Sequence, residues 1–228
     1  MLGDCRDEGQ TFVTTLEARK MKQWPKFFAR NCPPGLEADF EAIYGIPTTD
    51  GEASKISSEV VRDSVFLYPI HSTSRAVLAR PGAAPVEMSR FHFDLPLKAL
   101  EKMGLQFLGA HHAAELLFVF GSDSALKMMT DEEQRLSRQM MEHWILFAWG
   151  ETSRRFGLSQ GVDSLLPSDI GVGGQKREAI VFTENCTVEK GLIERLDSSK
   201  LAFWMTTEQW VKEKRDKQNQ AFNQDPKL

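Results

Sequence analysis

Two stretches carry residues whose types and spacing suit proton-transfer chemistry. The first is Gly109-Ala110-His111-His112-Ala113-Ala114-Glu115-Leu116-Leu117-Phe118-Val119-Phe120-Gly121. Two histidines and a carboxylate stand between glycines, with apolar residues directly behind them. An imidazole in a loop backed by a buried segment is a candidate general base, because one edge can be held while the other stays open. For an arbitrary His pair, the ordinary reading is a surface loop entering a core element. The second stretch is Met1-Leu2-Gly3, read as a strand end, followed by Asp4-Cys5-Arg6-Asp7-Glu8-Gly9, read as the loop after it. A strand-end carboxylate can accept an imidazole N–H, fix the tautomer and stabilise the imidazolium. Turns rich in Asp and Gly are common, so Asp-Glu-Gly alone is a weak motif.

Taken together, the two stretches resemble the type-B carboxylesterase and cholinesterase family. Its histidine motif runs Gly-x-x-His-x-x-Glu-(three residues)-Val-Phe-Gly, and Gly109, His112, Glu115, Val119, Phe120 and Gly121 fall on it. Its acid motif runs Gly-x-x-x-Asp-Glu-Gly, matched by Gly3, Asp7, Glu8 and Gly9. The resemblance implies that His112, not His111, is the general base, that Glu8 is the orienting acid, and that Glu115 is structural. Glu8 before His112 is the family's chain order. It also implies an α/β-hydrolase fold and no metal or organic cofactor. A zinc site built from His111, His112 and Glu115 is disfavoured: adjacent histidines on one backbone point apart, and zinc needs a further ligand.

The resemblance extends along the chain. Val61-Arg62-Asp63 followed by Pro69 is similar to a family segment whose aspartate is ion-paired structurally with an arginine near the C-terminus. Asp63 is therefore expected to be structural, with Arg195 the nearest candidate partner. Leu136-Ser137-Arg138, Trp144 and Phe147-Ala148 resemble a family helix, although Gly150-Glu151-Thr152-Ser153 stands where a Gly-Asn-Pro turn is usual. Leu201-Ala202-Phe203-Trp204 resembles a closing aromatic anchor. The resemblance is to the C-terminal portion of a family member. The expected fold class is α/β and helix-rich, with the last core strands of a hydrolase sheet and an incomplete sheet.

Composition narrows the field. The 228 residues carry a formal net charge of −4 and are 41% hydrophobic, enough for a core. No basic stripe invites nucleic acid. No apolar run approaches the roughly 20 residues that span a bilayer. The polar, acidic first residues do not read as a signal peptide; the resemblance implies secretion or the endoplasmic reticulum for full-length relatives. Cys5, Cys32 and Cys186 are too widely spaced for a metal pattern and allow at most one disulfide, so the redox compartment stays open.

Periodicity supplies the elements. Helices are expected over Lys22–Arg30 with Trp24, Phe27 and Phe28 on one side, and over Leu36–Tyr44, ended by Gly45. These aromatic helices resemble the family's variable excursion beside the gorge, although core packing explains them as well. Ser54–Leu67 reads as a helix broken by Pro69, and His71–Ala79 as another. Val86–Phe93 reads as the strand feeding the histidine loop, with His92 at its end and no triad role. Thr130-Asp131-Glu132-Glu133 has capping-box form, opening a helix from Asp131 to about Trp149 with Leu136, Met140, Trp144, Phe147 and Ala148 on its apolar face. Ser159–Lys176 reads as a loop that is no phosphate loop, and Glu178–Phe182 as a short strand. The resemblance implies that residues 1–205 are the hydrolase portion, and residues 206–228 read as a polar helical tail.

Ester hydrolysis by this route needs a serine on a tight Gly-x-Ser-x-Gly turn and an oxyanion hole beside it. The expectation is that both are missing from this chain, so that the chain is inactive alone. Its partners are then a carboxylic ester in the full-length context and the missing N-terminal half of the hydrolase domain. The absent strands would leave a sheet edge and apolar helix faces bare. A truncated gene model, a cloned fragment and a genuine short protein fit equally. The alternative is a non-catalytic hydrolase-fold protein for binding or adhesion; Glu8 and His112 argue against it, because a binding module needs neither.

Overall fold

The computed structural model describes residues 2–15, 19–78, 90–150, 177–193 and 196–224. Its longest well-packed helix forms where the cap predicts it. The Thr130 hydroxyl accepts from the Glu133 N–H at 3.2 Å, and Glu133 Oε2 accepts from the Thr130 N–H at 2.7 Å. This reciprocal cap starts the helix Asp131–Ala148. Glu133 is fully buried, and its second oxygen accepts from the Lys98 N–H at 2.9 Å, so the cap also pins the neighbouring helix. The apolar face is rotated from the expected one. Leu136 and Met140 are buried, but His143 and Leu146 complete the face, while Ala148 is exposed.

In chain order the elements are β1 (Leu2–Cys5), α1 (Glu8–Thr15), α2 (Trp24–Asn31), α3 (Glu37–Tyr44), α4 (Asp50–Val61), a π turn (Arg62–Leu67), α5 (Tyr68–Leu78), β2 (Arg90–Phe93), α6 (Lys98–Lys102), α7 (Ala114–Phe120), α8 (Asp123–Met128), α9 (Asp131–Ala148), β3 (Arg177–Phe182), β4 (Val188–Ile193) and α10 (Ser198–Gln224). Of the expected strand over 86–93, residues 86–89 lie outside the described residues, as does the whole loop over 159–176.

Among the described residues, four strands form one mixed sheet in the order β1-β2-β3-β4. β1 runs parallel to β2 with Cys5 opposite Phe93, β2 parallel to β3 with Phe93 opposite Phe182, and β3 antiparallel to β4. β4 is unforeseen; Val188-Glu189-Lys190-Gly191 is too polar to stand out as a strand. Helices flank this small sheet in a partial α/β-hydrolase fold. One apolar cluster joins Cys5, Phe93, Phe118, Leu136, Met140 and Phe182, fixing α7 and α9 on the sheet. A second joins Val13, Trp24, Phe27, Phe40, Val60 and Trp204, packing α1 to α4 with the start of α10. The aromatic helices α2 and α3 thus pack into core.

Three local expectations are corrected. The acidic loop is shorter than expected, because Glu8 already begins α1. Helix α4 starts earlier, at a second capping box made by Thr49 and Glu52. Pro69 does not break the helix. A proline lacks an N–H and clashes with the carbonyl four residues before it, but here a π turn precedes it. The Tyr68 N–H donates to Asp63 O, five residues back, and this wider turn makes room so that α4, the π turn and α5 run on continuously. His71 consequently lies inside α5 instead of opening it. Among the described residues no helix is long and apolar enough to cross a membrane.

Candidate functional site

The strand β1 delivers Cys5, Arg6, Asp7 and Glu8 to one end of the sheet, and the loop before α7 returns the chain to the same place. Asp7 and His111 form an isolated parallel bridge there. The Asp7 N–H donates to Ala110 O at 2.9 Å, and the Ala110 N–H donates to Asp7 Oδ2 at 2.9 Å. Arg6 holds the same carboxylate through Nε at 3.0 Å and reaches Asp94 at 2.6 Å. Gly109 makes this clasp possible. Its φ is +58°, and an added Cβ would stand 2.2 Å from Asp7 Oδ2. Gly9 serves on the other side: a Cβ there would meet the Ser58 carbonyl oxygen at 1.9 Å, so only glycine lets α1 lie this close to α4.

Within this frame His112 Nδ1 lies 2.8 Å from Glu8 Oε2. Glu8 Oε1 accepts the Cys5 N–H at 2.7 Å. The carboxylate is thus held at both oxygens and is buried, whereas the imidazole side chain is 43% exposed. Burial pushes the Glu8 carboxyl up from its ordinary range, and the Cys5 amide and His112 pull it back toward the ionised form. With Nδ1 donating to Glu8, Nε2 is the acceptor edge, and among the described residues it has no partner. Phe12 from α1 and Phe66 from the π turn stand against the ring, with centroids at 5.2 Å and 4.8 Å. An imidazole fixed in this way has its tautomer set, a carboxylate to stabilise its protonated form, and one free nitrogen for a substrate or a nucleophile.

The remaining expected residues occupy distinct places. Glu115 Oε2 accepts from the Cys5 thiol at 3.0 Å, bracing α7 against β1, while the carboxylate on His112 is that of Glu8. Burial, followed by the charges of Glu115 and Glu8, raises the Cys5 thiol pKa far above its ordinary value. His111 turns away, with Nδ1 3.3 Å from Gly109 O. His92 is buried in β2 beside Asp4, at 3.5 Å, behind the site. Asp63 is fully buried, 2.8 Å from Arg62 and 3.1 Å from Lys200, and accepts from the Tyr44 hydroxyl at 3.1 Å. Arg195 lies outside the described residues; among those described, Lys200 at the start of α10 is the cation from the C-terminal region. Among the described residues, no group of three His, Cys, Asp or Glu side chains gathers as a metal would need.

Phe12, Phe66, Cys5 and Lys200 are the site residues that sequence reasoning did not reach. Their types are ordinary for helices and strands, and nothing in their spacing marks them. The serine requires a correction in the sequence itself. Gly157-Leu158-Ser159-Gln160-Gly161 has the Gly-x-Ser-x-Gly form, so the pentapeptide is present. It follows His112, whereas α/β-hydrolases place the serine before the acid and the histidine. Ser153-Arg154-Arg155-Phe156 ahead of it offers no apolar strand to carry a nucleophile turn. The pentapeptide lies outside the described residues.

Compared with known families, residues 4–161, more than half of the chain, match the model of the carboxylesterase family. The matched span contains Glu8, Asp63, His112 and Glu115. No curated protein matches the chain.

Proposed function

The chain belongs to the carboxylesterase family, and from that premise we propose that it is part of a carboxylic ester hydrolase in which Glu8 and His112 are the acid and the base of a Ser-Glu-His triad. The observation that carries this reading is the 2.8 Å contact between a buried carboxylate and a half-exposed imidazole from residues 104 apart in sequence. A purely structural pair has no need to keep Nε2 open. In this reading the serine and the oxyanion donors come from a hydrolase segment outside these residues, and Ser159 is not the nucleophile.

His112 Nε2 takes the serine hydroxyl proton as the oxygen attacks the ester carbonyl. Glu8 stabilises the imidazolium while the tetrahedral oxyanion exists. The intermediate collapses, the C–O bond to the alcohol breaks, and His112 returns the proton to the leaving alkoxide. Water then repeats the sequence on the acyl-serine, releasing the acid and restoring the serine. Glu115 and Asp63 brace the frame and take no part in the proton transfers.

The test is hydrolysis of a short p-nitrophenyl ester by the purified chain, alone and joined to a matching N-terminal hydrolase half carrying the serine. The expected result is no turnover above buffer for the chain alone, and turnover abolished by His112→Ala in the joined protein. Turnover by the chain alone that is lost on serine-directed inhibition and in Ser159→Ala would overturn the assignment of the nucleophile. Full activity of His112→Ala in the joined protein would overturn the assignment of the base.

A further inference from the structure

We propose that Lys200, on the C-terminal helix α10, is a positioning residue for His112, acting through Asp63 and the π turn that sets Phe66 against the imidazole. The inference deepens the triad reading, since its functional meaning rests on His112 being the base.

The chain of contacts is continuous. Lys200 is buried and its ammonium meets Glu59 on α4 and, at 3.1 Å, Asp63 Oδ2 in the π turn. Arg62 holds Asp63 Oδ1 at 2.8 Å and approaches Glu59 at 3.6 Å, so two cations face two carboxylates. The Tyr44 hydroxyl donates to Asp63 and accepts from the Trp204 indole N–H at 2.8 Å, a second tie from α10 to the same carboxylate. The Lys200 ammonium also lies 5.1 Å from the centre of the Tyr44 ring. Three residues beyond Asp63, Phe66 contacts the His112 ring at 4.8 Å and Phe12 at 5.6 Å.

The π turn explains how one segment does both. A π turn has more residues per turn than an α turn, so three steps fall further short of a full circle. Asp63 can therefore point into the ion cluster while Phe66, three residues on, points at the site. A π turn is less favourable than an α turn and persists only where its surroundings hold it. Here Asp63 supplies holding contacts, with Lys200 as their cation from outside the helix that contains the turn, and the Tyr68 hydroxyl on Glu208 of α10 ties the end of the turn. Without Lys200 the turn can relax toward α geometry, which rotates Phe66 off the imidazole.

The experiment uses the full chain and reads His112 directly. The ring protons of His112 are assigned by loss of their resonances in His112→Gln, and the rate of His112 carbethoxylation by diethyl pyrocarbonate is followed by peptide mapping. Phe66→Leu defines the signature of a ring without its aromatic neighbour. Lys200→Met is expected to move the His112 protons toward the Phe66→Leu positions and to raise the carbethoxylation rate roughly two- to threefold as one face of the ring opens. Lys200→Arg is expected to restore both, and Arg135→Met, which removes an exposed pair with Glu132 on α9, to change neither. A folded Lys200→Met chain with unmoved His112 protons and an unchanged rate overturns the proposal, as does Lys200→Arg behaving like the methionine variant. If the lone Asp63 charge prevents Lys200→Met from folding, Lys200→Met/Asp63→Asn is read in its place; failure of both to fold makes Lys200 a residue of stability and ends the positioning claim. Retained esterase activity in His112→Ala would sink the triad while leaving these readings of the ring untouched.

Discussion

Replacing Gly109 with alanine tests the clasp that brings acid and base together, and its cost can be worked from the geometry. Gly109 has φ +58° and ψ −144°, a backbone region reached almost only by glycine. Forcing alanine into it costs about 1–3 kcal/mol. The new Cβ would also stand 2.2 Å from Asp7 Oδ2 and displace the carboxylate from the Ala110 N–H. Losing that charge-assisted bond adds about 1.5–3 kcal/mol, and the sum is about 4 kcal/mol. Gly104 is the control. Its φ is +70°, but no atom lies within 4 Å of the added Cβ, so Gly104→Ala has only the conformational cost, about 1–2 kcal/mol. The assay is urea unfolding of both variants, together with Asp7→Ala and Gly109→Ala/Asp7→Ala. The double variant is expected to be less than additive, because alanine at position 7 removes the atoms that Cβ strikes. Equal losses for Gly109→Ala and Gly104→Ala, with full additivity in the cycle, would refute the clasp.

Other consequences follow from particular groups. Burial depresses His143 to about 4; with an unfolded value of 6.5, its contribution is intact above pH 6.5 and is lost as the pH falls toward 4, at most about 2 kcal/mol by pH 5. Urea midpoints at pH 7 and pH 5 measure this, and His143→Leu is expected to flatten the difference. Thr130→Ala should cost about 1 kcal/mol through its lost cap, and Glu133→Ala more, because the buried Glu133 also serves the Lys98 N–H; chemical denaturation ranks the two, and the reverse order would sink the account of the α6–α9 junction. In the joined hydrolase, His112→Ala should lower kcat by roughly 10³-fold or more and Glu8→Gln by a comparable or smaller factor through the imidazole tautomer. His111→Ala should cost far less, because His111 faces Gly109 O and not Glu8; a dead His111→Ala beside a near-normal His112→Ala would move the base to His111.

Phe120 is 75% and Trp149 73% exposed, and among the described residues β1 is an outer strand. Even so, two buried clusters form, one on the sheet and one among the helices, and the Glu8–His112 pair is assembled where the loops after β1 and before α7 meet.

The sequence by itself determined what local chemistry can determine. The spacing around Gly109, His112, Glu115 and Gly121, with Gly3, Asp7, Glu8 and Gly9, is enough to identify the family and to name the two groups that meet at 2.8 Å. Thr130 and Glu133 announce α9, because a cap is written within four residues. Periodicity located α2 and α3 for the same reason. Tertiary structure alone decided the rest. The aromatic neighbours of His112 come from α1 and from a π turn, and no short-range pattern links Phe12, Phe66 and His112. The cation that meets Asp63 is Lys200, 137 residues away by subtraction of their numbers, selected by how α10 packs on α3 and α4 and not by its position in a motif. Pro69 is tolerated because the turn before it widens, and Asp63 in that turn is bound from outside the helix by Lys200 and Tyr44. Local rules foresee a break at a proline, whereas packing supplies the contacts that prevent it.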